Sequence, residues 1–150
     1  MEQGKHHHLL LTVRLGRYLK KRKWILLSLA LLIPLGLLTK MYEGPGGEWV
    51  NNSLGGVLYV IFWTLLCSLL FPVAKPCRIA GVVLLVTCML EVVQLWHPPF
   101  LETVRSTFIG VTLLGNSFSW LDFPHYMLGS LVSCGLLYLM AGTGTGNEIP

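Results

Sequence analysis

Charged residues are scarce in this chain. They make up 12% of its 150 residues, whereas 53% of the residues are hydrophobic, and a soluble domain carries about 25% charged residues. The few charges cluster at the N-terminus and in short segments between apolar runs. This composition excludes an ordinary water-soluble domain. It is typical of a protein of the lipid bilayer, where about 20 apolar residues span the hydrocarbon.

Several motifs of catalytic and metal-binding proteins are missing. The chain has no Cys-x-x-Cys pair, no Gly-x-Ser-x-Gly and no His-Glu-x-x-His. Cys67, Cys88 and Cys134 lie in apolar runs and Cys77 lies in a short basic loop, so a disulfide framework is not expected. The run 6–8 of three histidines is interpreted as a solvated tail. We therefore expect no metal and no cofactor.

Four apolar runs are long enough to cross a bilayer as helices, and the predicted fold class is all-α. The runs are 24–38, extended by 39–42 and kinked at Pro34, then 54–71, 79–96 and 123–141. A basic block precedes the first run, but no small-x-small cleavage site follows it, so we interpret it as a retained span rather than a signal peptide. The predicted parts are a basic segment 1–23, a four-helix membrane domain 24–141 and a flexible tail 142–150.

Basic residues predict the orientation, because lysine and arginine stay on the cytoplasmic side. With four spans, the N-terminal block and the loop with Lys75 and Arg78 lie on one side. The loop between the first two spans has Lys40 against Glu43 and Glu48. We therefore predict that both termini are cytoplasmic.

The residues 97–122 lie outside under this topology. Within them, residues 106–115 are apolar but too short to cross the hydrocarbon, which indicates a re-entrant or interfacial segment. Gly110 and Gly115 allow this segment to bend.

Polar residues of the third span form a stripe. Thr87, Glu91 and Gln94 recur at spacings of four and three, so they share one helix face. An ionised carboxylate that faces lipid is costly, so we expect Glu91 to face the bundle interior with a partner. Arg105 is the one basic residue of the outer segment, and we predict that it lies between Glu91 and Asp122. This contact is either part of a functional site or a purely structural pair.

A second stripe runs along the fourth span, where Asp122, Tyr126, Gly129 and Ser133 recur at four, three and four. Small residues let helices approach closely. Asp122 is alternatively a helix N-cap, since it precedes Phe123-Pro124. His125 and Tyr126 are alternatively anchors at the headgroup level. The second span is expected to have a similar narrow face, formed by Gly55, Gly56 and Tyr59. Further aromatic anchors at the headgroup level are expected at Trp96, Phe100 and Trp120.

Fixed spacings in residues 91–129 match a family pattern. It comprises Glu-x-x-Gln, Arg-x-Thr, Leu-Gly-x-x-Phe-x-Trp-x-Asp and Tyr-x-x-Gly, which here are Glu91, Gln94, Arg105, Thr107, Leu114, Gly115, Phe118, Trp120, Asp122, Tyr126 and Gly129. On these motifs the chain resembles a bacterial branch, of unknown function, of the VanZ-like membrane proteins, over residues 45–140. The resemblance implies a small multi-pass protein of the bacterial plasma membrane. It implies no reaction.

The chain departs from that pattern at two places. Relatives usually begin the second span with an acidic residue in a Gly-Asp pair, whereas this chain has Gly55-Gly56. Pro124 and His125 stand where the family more often has apolar residues. A catalytic role that needs the missing acid is therefore less expected here.

Two classes of function fit these observations. The first is a non-enzymatic protein that binds a lipid headgroup, a lipid-linked envelope precursor or a partner membrane protein, with Arg105 gripping a phosphate. The second is an intramembrane hydrolase or transferase with Glu91 as general base, assisted by Asp122 or His125. A transporter is less expected, because four spans leave little room for an inverted repeat. No nucleic-acid partner is expected, and the sequence predicts no particular oligomeric state. The candidate cluster comprises Glu91, Gln94, Arg105, Thr107, Asp122, His125 and Tyr126.

Overall fold

The computed structural model describes residues 2–115 and 117–142, and for residues 2–15, 17, 108 and 142 it describes the backbone alone. The secondary structure of this part is helical, with no strand in it. The predicted tail lies outside the described residues beyond Gly142. The elements are α1 (Glu2–Met41), α2 (Gly47–Trp49), a π-helical turn (Val50–Leu54), α3 (Gly55–Leu70), α4 (Pro76–Val93), α5 (Pro99–Arg105), α6 (Phe108–Leu114) and α7 (Asp122–Gly142).

The predicted all-α architecture with four spans is confirmed. In the described part of the chain, four helical stretches are long and apolar enough to cross a membrane, at Tyr18–Met41, Gly47–Leu70, Pro76–Val93 and Asp122–Ala141. The first continues through Pro34. The second begins seven residues earlier than predicted, because α2 and the π-helical turn run directly into α3.

Helix α3 lies at the centre of the bundle and packs against α1, α4 and α7. One buried cluster joins α1, α3 and α7, and a second joins α3, α4 and α7. The large apolar side chains on the opposite face of α1 remain exposed, as Leu31 and Leu38 illustrate. Exposure of this kind is expected where lipid, rather than water, surrounds the helices.

Glycines let α7 approach α3 closely, as the small-residue stripe predicts. A Cβ on Gly129 would lie 2.8 Å from the carbonyl oxygen of Val57 and 3.0 Å from the Cβ of Val60. A Cβ on Gly56 would lie 2.9 Å from the ring of Tyr126. The two helix backbones are therefore nearly in contact, which maximises their van der Waals attraction.

The bundle has two chemically different ends. At the basic end, Lys21 and Arg22 of α1 line the same shallow depression as Ser68 and Pro72, next to the turn that carries Lys75. The polar end is where α4 finishes and α7 begins, and it carries α5 and α6. The basic residues of α1 and those of the turn before α4 thus lie at the same end of the bundle. The side of the membrane that this end faces stays a prediction.

A disulfide was not expected from the sequence, and that expectation is wrong. Cys77 in the first turn of α4 is bonded to Cys134 of α7, with 5.3 Å between the Cα atoms. The two residues are separated by 57 positions, so the antiparallel packing of α4 on α7 brings them together rather than any local motif. Cys67 and Cys88 remain free thiols.

We predict that Gly129→Ala destabilises the bundle by about 1–3 kcal/mol, because the added methyl group overlaps the backbone of α3. Gly135→Ala in the same helix is the matched control, since nothing lies within 4 Å of a Cβ there. The control is expected to be neutral or stabilising by up to about 1 kcal/mol, from helix propensity alone. Titration of the folded protein from mild detergent into sodium dodecyl sulfate measures both effects. Equal midpoints for the two variants would contradict the close approach.

Candidate functional site

The carboxylate of Glu91 is the centre of the polar network at the polar end. Glu91 lies in the last turn of α4 and is 1% exposed. Its Oε1 accepts a hydrogen bond from the backbone N–H of Ser119 at 2.8 Å. Its Oε2 accepts from the hydroxyl of Tyr126 at 2.6 Å and from Nε2 of Gln94 at 3.1 Å. The network therefore joins α4, α7 and the segment that precedes α7.

These three contacts are all donations to the carboxylate. An ionised carboxylate only accepts hydrogen bonds, so a set of donors suits the charged form. Hydrogen bonds to a charged group contribute about 1.5–3 kcal/mol each, more than bonds between neutral groups. The carboxylate of Glu91 is thus surrounded by hydrogen-bond donors, and no Lys or Arg whose side chain the structure describes forms a salt bridge with it.

The predicted stripes account for most of this arrangement. Thr87, Glu91 and Gln94 are all buried on the inner face of α4, and Tyr126, Gly129 and Ser133 are buried on α7. Sequence reasoning missed the N–H of Ser119, because a main-chain donor in a loop has no signature in the residue pattern. Tyr59 was predicted on a narrow face of the second span, but its hydrogen bond was missed. Its hydroxyl donates to the carbonyl of Leu113 at the end of α6.

The prediction that Arg105 lies between Glu91 and Asp122 is wrong. Arg105 is 6% exposed, but its Nη1 donates to the carbonyl of Trp96 at 2.9 Å and to Oε1 of Glu102 at 3.0 Å. Its Nη2 donates to the carbonyl of Val93 at 3.0 Å.

The end of α4 explains this placement. The last carbonyl groups of a helix lack intrahelical partners, and α4 finishes at Val93, where the chain turns towards α5. The side chain of Arg105 folds back from α5 and satisfies two carbonyl groups of that turn, as basic residues often do at helix C-termini. Because both terminal nitrogens are occupied, the expected two-point grip of Arg105 on a phosphate would require this cap to break.

Thr107 is a helix cap and not a partner of Glu91. Its Oγ1 accepts from the N–H of Gly110 at 3.0 Å and donates to the carbonyl of Val104 at 2.7 Å. It thereby starts α6, within the segment for which a re-entrant or interfacial element was predicted. Gly110 packs so tightly on Val104 that it has no room for a side chain.

Gly115 ends α6 in a conformation that favours glycine, with φ 68°. A Cβ there would also collide with the side-chain amide of Gln94. The absence of a side chain at Gly115 therefore lets the chain pass over Gln94 and reach Ser119.

The more open polar groups of this end form a rim patch, defined here as Lys40, Trp49, Asp122 and His125. Asp122 occupies the first turn of α7, where a carboxylate interacts favourably with the helix dipole. Lys40 lies at the end of α1 and bonds to the π-helical turn, which also contacts α7. The His125 ring lies edge-on to Trp49, with 6.3 Å between centroids. The structure therefore places Asp122 and His125 beside, and not within, the bonds of Glu91.

No group of three or more metal-ligating side chains comes together in the part of the chain that the structure describes. The acidic residues of the polar end are instead dispersed among hydrogen-bond donors and basic groups.

We predict that Tyr126→Phe destabilises the protein by about 1.5–3 kcal/mol, because the buried carboxylate of Glu91 loses one donor. Tyr138→Phe removes the same atom from an exposed side chain of the same helix and is expected to change stability by less than about 0.5 kcal/mol. The detergent titration described above measures both variants. A Tyr126→Phe midpoint equal to that of Tyr138→Phe would show that the bond to Glu91 contributes nothing.

A known protein family matches the part of the chain that contains the Glu91 network. No solved structure matches the chain. A family model described as "Protein of unknown function (DUF2809)" matches residues 46–130, a stretch that contains Glu91, its three partners and the cap formed by Arg105. Because this match extends over more than half of the chain, the protein belongs to the DUF2809 family.

Proposed function

We propose that this protein is a non-enzymatic, multi-pass protein of the bacterial plasma membrane that binds a lipid headgroup at its polar end. The proposal includes a relationship to the VanZ-like proteins and a cytoplasmic location of the basic end and both termini. The polar end then faces the outside of the cell, where lipid-linked envelope precursors are also exposed.

The proposal rests on a difference in accessibility between two groups of polar residues at the polar end. The carboxylate of Glu91 is sealed by its three donors, whereas the rim patch is accessible. Trp49 is 57% exposed, and Lys40 is exposed while its Nζ donates to the carbonyl of Asn51. Asp122 and His125 are half-buried.

The rim patch combines a cation, an anion and an aromatic ring. A phosphate would interact with the ammonium group of Lys40 through charge-assisted hydrogen bonds. A primary amine would interact with the carboxylate of Asp122 and with the face of the Trp49 ring. These groups together favour a headgroup that carries both a phosphate and an amine, such as that of phosphatidylethanolamine.

The surroundings of the patch support its position at the membrane surface. Trp96, Phe100 and Trp120 expose more than half of their surface around the polar end. Tryptophan rings are enriched at the level of lipid headgroups. A headgroup would therefore reach the rim patch without leaving the bilayer.

A hydrolase with Glu91 as general base has weaker support. A general base must come within about 2.6–3.2 Å of the proton that it removes. Both carboxylate oxygens of Glu91 already accept hydrogen bonds, and the side chain has almost no accessible surface. Proton transfer would first require the loop at Ser119 to open.

We expect the protein, purified in mild detergent, to retain phosphatidylethanolamine in preference to phosphatidylglycerol in native mass spectrometry. Lys40→Gln and Asp122→Asn should each weaken this binding by about tenfold, because the loss of one charged contact costs about 1.4 kcal/mol or more. Lys75→Gln at the basic end is the matched control and should retain as much lipid as the wild type.

The stability of each variant is measured beside its bound lipid. Lipid loss at unchanged stability supports the headgroup site. Equal retention of both lipids, or equal loss in Lys75→Gln, would contradict it. A partner protein bound in a fixed ratio, with no retained lipid, would favour the role of a subunit instead.

A further inference from the structure

The disulfide between Cys77 and Cys134 lies at the basic end, far from the Glu91 network along both helices. Cys77 is exposed in the first turn of α4, and Cys134 is half-buried on α7. The distance of 5.3 Å between their Cα atoms is within the usual range for bonded cysteines. The fold itself therefore holds the two sulfur atoms within bonding distance.

The basic residues around this disulfide favour a cytoplasmic location, which is unusual for a disulfide. Basic segments of membrane proteins remain in the cytoplasm, and the cytoplasm keeps thiols reduced. Disulfides that form there are usually transient or redox-sensing. Under the orientation given in Proposed function, on which this inference rests, the bond would be made and broken rather than permanent.

The surroundings of Cys77 favour reaction at its sulfur. Lys75 and Arg78 flank it in sequence, and its position in the first turn of an 18-residue helix adds the positive end of the helix dipole. Both effects stabilise a thiolate, which is the reactive form. The free thiols of Cys67 and Cys88 lie within apolar spans, where a thiolate is disfavoured.

We propose that Cys77 and Cys134 form a thiol–disulfide exchange site that reacts with small cytoplasmic thiols and disulfides of the glutathione class. In the reducing direction, a small thiolate attacks the sulfur of Cys77, and the Cys134 sulfur leaves as a thiolate that takes up a proton. A second small thiol attacks the mixed disulfide and releases Cys77 and a small disulfide. Two electrons pass from two small thiols to the protein, and the oxidising direction is the reverse.

The bond controls how firmly α4 is attached to α7. At the polar end the two helices are joined through Glu91 and Tyr126 in either redox state. Near the basic end, the hydrogen bond from Ser130 to the carbonyl of Ala80, at 3.1 Å, is one turn away from the disulfide. When the disulfide is reduced, the hydrogen bond from Ser130 and apolar packing remain to hold the start of α4 against its neighbours. The half of α4 at the basic end then becomes the more mobile half.

The test follows the redox state of all four cysteines in intact cells that express the full chain. Thiols are trapped by acid and alkylated with a light maleimide, disulfides are then reduced and alkylated with a heavy maleimide, and peptides are quantified by mass spectrometry. The oxidised fraction of Cys77 and Cys134 should rise from below about a tenth to above about a half within minutes of diamide addition, and fall after its removal. Cys67 and Cys88 are internal controls and should stay reduced.

Two single variants separate the roles of the paired cysteines. In Cys134→Ser, diamide should convert Cys77 into a mixed disulfide with the small cellular thiol, because no neighbouring thiol resolves it. In Cys77→Ser, the half-buried Cys134 should form several-fold less of this adduct. Equal adducts in the two variants would overturn the assignment of Cys77 as the attacked sulfur.

A membrane-impermeant maleimide distinguishes the failure of this proposal from that of the proposed orientation. It should label reduced Cys77 only after the cells are permeabilised, and labelling of intact cells would overturn the orientation. With the orientation upheld, a pair that is fully oxidised at rest, or that stays reduced after diamide, would overturn the exchange site. Lipid retention at the polar end is measured independently and is not affected by either outcome.

Discussion

One buried carboxylate determines how the polar end of this protein is built. Removal of an ionised carboxylate from water costs several kcal/mol even after the protein relaxes, and a lipid environment offers no water to offset that cost. Glu91 meets this requirement with donors from three places, namely its own helix, α7 and the main chain at Ser119. The segment between α4 and α7 must therefore fold back over the end of α4. The position of that segment is therefore determined by the need of the Glu91 carboxylate for hydrogen-bond donors.

Other features of the segment are consequences of the same constraint. The main chain reaches Ser119 only by passing the amide of Gln94, and a side chain at Gly115 would block that path. The turn after α4 leaves carbonyl groups without partners, and Arg105 donates to two of them. The acid and the base of this end thus bond to other partners, several of them main-chain groups, and not to each other. For this reason their opposite charges did not indicate a contact between them.

The sequence predicted the elements whose signals are local. Apolar length predicted the four spans, and helical spacing predicted which faces of α4 and α7 are buried, because periodicity reports directly on the side of a helix that avoids lipid. Partners that depend on how distant segments meet were not predictable. The N–H of Ser119 has no side-chain signature, and the Cys77–Cys134 bond depends on the register of two antiparallel helices. Arg105 was predicted to contact Glu91 on charge alone. In the structure, main-chain groups form hydrogen bonds with each of them instead.

Glu91 holds the loop at Ser119 in place, and amide hydrogen exchange at Ser119 measures this restraint. In the wild-type protein this amide should exchange slowly, as a hydrogen-bonded and half-buried group does. In Glu91→Ala it should exchange at least about tenfold faster, because a loss of about 1.4 kcal/mol of local stability corresponds to that factor, whereas amides in the middle of α7 should keep their protection. Glu102→Ala, which removes an exposed carboxylate from the same end, should leave Ser119 protected. Rapid exchange of Ser119 in the wild type, or unchanged protection in Glu91→Ala, would show that Glu91 does not hold this loop.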